Sequence, residues 1–374
     1  MADGKRVSIK SSVHNTSVQR RRQHAVTVGK DRREILIRTK RLCRHAPGDD
    51  EVSEEGDMIL DEEKSALDAQ TLQTVENLKS AVLYEGKGAI QKKVEALRAL
   101  RRLLSRSEIP PIEVALQAGA VPVLVQCLSF GSPDEQLLEA AWCLTNIAAG
   151  EPEETNALLP ALPLLIAHLG ENSSMPVAEQ CAWALGNVAG EGGDMRNILL
   201  AQGALLPLAR LMLSNKGSTT RTAAWALSNL IKGPDPKAAT ELIRIDGVLD
   251  AIARHLKKAD EELATEVAWV VVYLSALSET AVGLLVKADI GQLLVGRLEA
   301  SESLQLLIPV LRSLGNLVAA DSYITVGHGI TVHVISALVK CLKSEHRILK
   351  KEAAWVLSNQ AAGSFEQKEL IFFH

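Results

Sequence analysis

Aromatic residues are scarce. Phe, Tyr and Trp make up 3% of a chain that is 47% apolar. A large core without rings must be filled by Leu, Ala, Val and Ile, which points to stacked helices. Cysteine pairing is also missing: Cys43, Cys127, Cys143, Cys181 and Cys341 are odd in number and form no CxxC motif, which fits a reducing compartment. No run of 18 uninterrupted apolar residues occurs, so no membrane span is expected. The Arg-rich N-terminus has no apolar core and is not a secretory signal. Catalytic signatures are absent too. There is no HExxH, no phosphate loop and no nucleophile elbow, and "GEGGD" at 190–194 lacks the strand-then-helix context of a phosphate site. The nine histidines are scattered. No enzymatic activity, metal or cofactor is expected.

Charge is unevenly spread. Residues 1–45 carry 13 Lys/Arg against 3 Asp/Glu, and the remainder carries 28 against 42, so an acidic body follows a basic arm. The body should attract basic partners and repel nucleic acid, and the arm should seek an acidic surface. Residues 1–19 read as disordered, 20–45 as a basic segment that can form a helix from about Asp31, and 46–70 as an acidic linker. From about residue 71 to 374 the chain is periodic.

That period is the main feature present. Trp142, Trp183, Trp225 and Trp269 stand 41, 42 and 44 residues apart, Arg312 takes the next place 43 further on, and Trp355 follows 43 after that. All five Trp of the chain thus share one register. A repeat of about 42 residues signals armadillo or HEAT units. Stretches such as "AGAVPVLVQCL" and "IDGVLDAIARHL" precede the Trp helices and supply a second apolar helix. Gly150, Gly190, Gly233 and Gly363 follow them, where a left-handed helix stop is expected. About seven repeats are expected, with Leu100–Leu104 in an atypical first one. The fold class is all-α, an armadillo-repeat right-handed superhelical solenoid with a basic N-terminal arm.

Asn146, Asn187, Asn229 and Asn359 each stand four residues after a Trp, so the two side chains share a helical face. A dry core has little use for an amide repeated on one face, which favours binding. An extended peptide advances about 3.3 Å per residue, so helices packed about 8–10 Å apart pass roughly three of its residues per repeat. Lys and Arg stems can lie between indoles, with cation–π attraction of roughly 0.5–2 kcal/mol each. The Asn amide, donor and acceptor together, would clamp the peptide backbone. Glu153, Glu154, Glu191, Glu266 and Glu352 are candidates to select positive charge.

These features together resemble the importin alpha family of nuclear import adaptors, over about residues 20–370, most like a divergent plant form. The family has Trp–Asn pairs in repeats two to four, matching Trp142/Asn146, Trp183/Asn187 and Trp225/Asn229. Its fifth repeat has Trp with Tyr, matching Trp269/Tyr273; its sixth has Arg with Asn, matching Arg312/Asn316; its seventh restores the pair, matching Trp355/Asn359. The resemblance implies a major site for nuclear localisation signals of cargo proteins at Trp142, Asn146, Gly150, Thr155, Gln180, Trp183, Asn187, Glu191, Trp225, Asn229, Glu266 and Trp269. Within it, Gly150 and Thr155 match the deepest lysine pocket, and Glu191 replaces the family's Asp. A minor site is implied at Arg312, Asn316, Glu352, Trp355 and Asn359. The arm resembles the importin-beta-binding segment, with contacts implied at Arg20, Arg21, Arg22, Arg32, Arg33, Lys40 and Arg41. The family's later basic cluster, which blocks the groove, is thin here, so weaker autoinhibition is expected. The family runs to about ten repeats and this chain stops after its seventh Trp helix. An incomplete minor site, impaired binding of the export receptor, and a tendency to associate through an uncapped end are therefore expected. Shuttling between cytoplasm and nucleus is implied. Two other readings are an armadillo scaffold for a different extended partner, which the Trp–Asn ladder on an acidic body disfavours, and nucleic-acid binding through the arm, which the acidic body disfavours.

Overall fold

Residues 57–83 contain no Gly or Pro and are rich in Leu, Ala, Glu, Lys and Gln, all strong helix formers. They begin a structure built from helices. A computed structural model describes residues 56–105, 110–319 and 328–361, with side chains described from 64 and, in the last segment, from 334. The expected arm, with Arg20, Arg21, Arg22, Arg32, Arg33, Lys40 and Arg41, lies outside the described residues, as do Cys43 and Gly363. Among the described residues there is no strand. The first helix, α1, runs Gly56–Leu83, so residues 56–70 of the expected acidic segment are helical. Helix propensity there outweighs the density of acids that suggested solvated coil.

The described residues fall into two compact units, meeting in sequence at residues 208 and 209. The first holds α1, α2 (Ala89–Leu104), α3 (Ile112–Gln117), α4 (Ala120–Cys127), α5 (Asp134–Ile147), α6 (Pro152–Asn156), a 3-10 turn (Leu159–Ala161), α7 (Leu162–Ala167), α8 (Met175–Glu191) and α9 (Gly193–Ala201). The boundary falls within α10 (Leu205–Met212). The second unit continues with α11 (Gly217–Leu230), α12 (Lys237–Arg244), α13 (Val248–Lys257), α14 (Glu261–Leu277), α15 (Glu279–Lys287), α16 (Ile290–Ala300), α17 (Leu304–Val318), α18 (His328–Lys343) and α19 (Arg347–Ala361). Each full repeat has a short helix, a second helix and a long third one, as in α12–α13–α14. Three helices per repeat mark armadillo rather than two-helix HEAT architecture.

The long helices α2, α5, α8, α11, α14, α17 and α19 are the rungs, and they carry the Trp register. Successive rungs pack on one another: α2 on α5 and α5 on α8 in the first unit, α11 on α14, α14 on α17 and α17 on α19 in the second. Small side chains make the approach possible. Ala140, Ala141, Ala182, Ala184, Ala223, Ala224, Ala226, Ala268 and Ala353 are all buried. No repeat closes its own apolar face, and stacking does it.

The left-handed corners are not where the sequence reading put them. Gly150, Gly190 and Gly233 have no positive φ, and Gly190 is still inside α8. Besides Gly88 and Gly131, which lie before long helices, the positive-φ positions are Gly119 (77°), Gly203 (81°) and Gly247 (83°), with Asp289 (55°) in the same place of the repeat after Gly247. These four mark the corner before the second helix of a repeat. The chain must reverse between two short helices there, and only a left-handed residue does so within one residue.

A second ladder runs along the ends of the second helices. Carbonyls in the last turn of a helix lack intrahelical donors. In the first unit, His168 Nε2 donates to Leu128 O at 2.6 Å, while its Nδ1 meets Ser173 Oγ at 2.7 Å. In the second unit, His255 Nε2 donates to Met212 O at 2.9 Å and Arg297 Nε to Leu256 O at 2.6 Å. Four thiols lie deep in the repeats and are unpaired: Cys127, Cys143, Cys181 and Cys341. Burial raises the Cys127 thiol to about 11 and pushes Cys143 and Cys181 higher still.

Candidate peptide-binding ladder

A Trp that is only half buried leaves apolar ring surface in water, an arrangement with a cost unless something covers it. Trp142, Trp183, Trp225 and Trp355 are all half buried. Their flanking residues Ala141 and Cys143, Ala182 and Ala184, and Ala224 and Ala226 are fully buried. The indole therefore sits at the edge of each rung, held by a solid core behind it.

The Asn one turn later behaves differently from expectation. In the first unit, Asn146 Nδ2 donates to Ser105 Oγ at 2.9 Å and Asn187 Nδ2 to Thr145 O at 3.1 Å. In the second, Asn316 Nδ2 donates to Val272 O and Ser275 Oγ, both at 3.2 Å, and Asn359 Nδ2 to Gly315 O at 3.0 Å. Each amide reaches back to the preceding rung. Thr145 and Gly315 lie in the last turn of their helices, where carbonyls run out of donors. The Asn is thus a latch between repeats, and the view that a packed core has no use for it is corrected. Its donor end is committed to the protein. At Asn316 the buried Oδ1 has no hydrogen-bond partner among the described residues. Asn229 is likewise fully buried. Gln180, expected in the groove, also latches: its Nε2 donates to Thr145 Oγ1 at 2.7 Å.

Gly150 and Thr155 come together with Glu154 in the first unit. A Cβ on Gly150 would lie 1.9 Å from Glu154 Oε2 and 3.0 Å from Ile112 Cδ1, so a side chain there would displace the Glu154 carboxylate. Thr155 is fully buried and its Oγ1 has no hydrogen-bond partner among the described residues. Glu154 accepts the Glu151 N–H at 2.7 Å within a capping box. Burial raises the Glu154 carboxyl above its usual range against that bond, and Glu151, Glu113 and Glu153 raise it further. A cation placed there would relieve this repulsion and give the orphan hydroxyl a donor. Glu191, at the end of α8, is half buried.

The second unit departs from an open ladder at its middle. Trp269 is only 7% exposed. Tyr273 stacks on it, with ring centroids 6.1 Å apart, and the Arg312 guanidinium lies 5.6 Å from its ring centroid. Arg312, 1% exposed, donates to Glu352 through Nη2 at 2.9 Å and Nε at 3.3 Å. Glu352 was expected to select positive charge on a ligand; that charge is already met by Arg312. Glu266 is buried too. At the last rung the Trp355 ring lies against Gly315, where a Cβ would sit 2.0 Å from Trp355 Cζ3.

Sequence reading missed Arg101, Ser105 and Glu139 in the first unit. The signal was available: Arg101 stands 41 residues before Trp142, the spacing from Trp142 to Trp183. Its guanidinium lies 4.4 Å from the Trp142 ring centroid.

The armadillo/beta-catenin-like repeat model matches residues 108–149 and 194–232, and the HEAT-like repeat model matches 134–188. Importin subunit alpha-9 of Arabidopsis thaliana is 67% identical over 99% of this chain and 73% of its own length. Importin subunit alpha-2 of Oryza sativa subsp. japonica is 68% identical over 98% of this chain and 71% of its own. Among solved structures, a designed armadillo repeat protein in complex with the peptide (KR)4 superposes with a TM-score of 0.57 at 25% identity, covering 66% of this chain and 99% of that one.

Proposed function

The chain belongs to the importin subunit alpha family, non-enzymatic adaptors of nuclear import, and from that premise we propose that it binds Lys/Arg-rich localisation signals of cargo along its Trp–Asn rungs. The observation that carries this is the same half-exposed Trp at Trp142, Trp183, Trp225 and Trp355, each followed by an Asn. An indole edge against a fixed carbonyl suits a cationic stem beside a peptide N–H. Gly150, Thr155 and Glu154 provide a deep subsite whose hydroxyl and raised carboxyl favour an ammonium. The acidic body adds long-range attraction for such a peptide. The designed relative carries (KR)4 on the same fold.

In the first unit the peptide-binding residues of the major site are Trp142, Asn146, Gly150, Thr155, Gln180, Trp183, Asn187 and Glu191; in the second unit they are Trp225, Asn229, Glu266 and Trp269. Of the minor site, Trp355 meets the ligand, while Arg312, Asn316, Glu352 and Asn359 support it from within. The basic arm, through Arg20, Arg21, Arg22, Arg32, Arg33, Lys40 and Arg41, engages importin beta, and the adaptor moves between cytoplasm and nucleus.

Fluorescence anisotropy with a labelled Lys-rich localisation peptide tests the ladder. Trp183→Ala should weaken binding by about tenfold or more, as expected for a central aromatic contact. Asn187→Ala should weaken it and also cost about 1–3 kcal/mol of stability through the lost latch. Undiminished affinity in Trp183→Ala would sink the reading. Replacing Arg32 and Arg33 by Ala should abolish capture by importin beta without changing peptide affinity of the rungs.

A further inference from the structure

Arg101 holds the Trp place of the first rung, α2, and Ser105 holds the Asn place, where it receives the Asn146 amide. The arginine does not point into water. Its guanidinium lies over Trp142 at 4.4 Å from the ring centroid, and its Nε donates to Glu139 Oε2 at 2.5 Å. Glu139 stands three residues before Trp142 and is buried. It also accepts Arg98 Nε at 3.2 Å, and Arg98 pairs in turn with the exposed Glu135. A cation on an indole with a carboxylate behind it is the chemistry read above for a bound Lys or Arg of cargo. Here the protein supplies the cation itself.

The second unit repeats the design at its own Arg rung. Arg312 is stacked over Trp269 and paired with Glu352, which stands three residues before Trp355, as Glu139 stands before Trp142. In both cases an Arg in the rung position lies on the indole of a neighbouring rung and pairs with a Glu three residues before a rung Trp.

We propose that Arg101 is a built-in occupant of the slot beside Trp142 and sets the end of the peptide register, so that a cargo cation one step beyond the Trp142 rung finds its place taken. This rests on the peptide-binding reading above. Removing the arginine should turn Trp142, Glu139 and Glu135 into an additional subsite for a ligand Lys or Arg. Arg101 is thus a specificity-determining residue: it limits how many cations of a basic cluster the groove can count.

The test compares a Lys-rich core peptide with versions extended at either end by Lys or by Ala, on the full chain, by anisotropy. In the wild type, Lys and Ala extensions should bind alike at both ends. In Arg101→Gln, the Lys extension at one end should bind about fivefold tighter than the Ala extension, the size of one cation–π contact. Arg101→Met, which keeps an apolar stem on the indole, should shift the ratio in the same direction and covers the case in which Gln disturbs folding. Adding Glu139→Gln to either variant should bring the ratio back toward one. Equal Lys and Ala binding in both Arg101 variants, or a Lys preference already present in the wild type at the same end, overturns the assignment of Arg101 alone. Absence of binding by the core peptide to the wild type would instead remove the ladder reading on which it stands.

Discussion

At the scale of single residues, several candidate site side chains also hold the rungs together. Arg312 shows it most sharply. It is buried, paired to Glu352 and laid on Trp269. Arg312→Ala would leave Glu352 as a buried carboxylate without its partner, which typically costs about 3–5 kcal/mol; denaturant unfolding should show a loss of that order, mainly in the second unit. His255 makes a different demand. Its Nε2–H is committed to Met212 O, and Nδ1 is buried with no hydrogen-bond partner among the described residues. Burial, with Lys258 and Arg254 nearby, lowers its pKa below the ordinary 6.5 against the bond to Met212. The unfolded chain therefore takes up a proton at this residue before the folded one does. Its contribution is complete above about pH 6.5 and is lost as pH falls from there toward the lowered folded value. Melting temperature should drop over that acidic window, and His255→Gln should shrink the drop relative to wild type, as followed by circular dichroism.

Among elements, the left-handed corner between the first and second helix of a repeat, found in four of them, is the part most exposed to a single change. Gly119, Gly203 and Gly247 turn it with positive φ, and Asp289 does the same at 55° with a side chain in place. Asp289→Gly should raise stability by up to about 1 kcal/mol by removing the left-handed strain, while Gly247→Ala should lower it by about 1 kcal/mol or more; paired urea titrations separate the two signs. These corners were not legible from the sequence because the eye follows the Gly after each Trp helix. Gly150 lies against the Glu154 carboxylate and has no positive φ. The rungs themselves were legible, since a residue as rare as Trp repeating near 42 leaves little else to fit. The short first helices, such as Ile112–Gln117 and Pro152–Asn156, hold too few turns to show a period. The direction of the Asn amides was hidden for another reason. Sequence shows that Asn shares a face with Trp, but not that the carbonyls ending the previous rung lie within reach.

At the scale of the whole molecule, the same logic appears within both units: a solid Ala- and Leu-rich stack, with Asn latches to the preceding rung at Asn146 and Asn187 in the first and at Asn316 and Asn359 in the second. The basic arm and acidic body were legible from charge alone, and the family follows from 67% identity along 99% of the chain. Such arrays hold together through neighbours, so they open locally before they open globally. The buried cysteines turn that property into something measurable. Cys127, Cys143 and Cys181 lie in the first unit and Cys341 in the second, with every thiol held protonated by its surroundings. An alkylating reagent reacts with thiolate and must wait for each site to open. Tracked by peptide mass, the four labelling rates would act as clocks distributed along the chain. Bound localisation peptide should slow those nearest the rungs it bridges, Cys143 and Cys181, more than Cys341 when the peptide occupies the first unit. The scarcity of aromatic residues left these interiors to small aliphatic and sulfur side chains, and in doing so gave the molecule its own set of built-in timers.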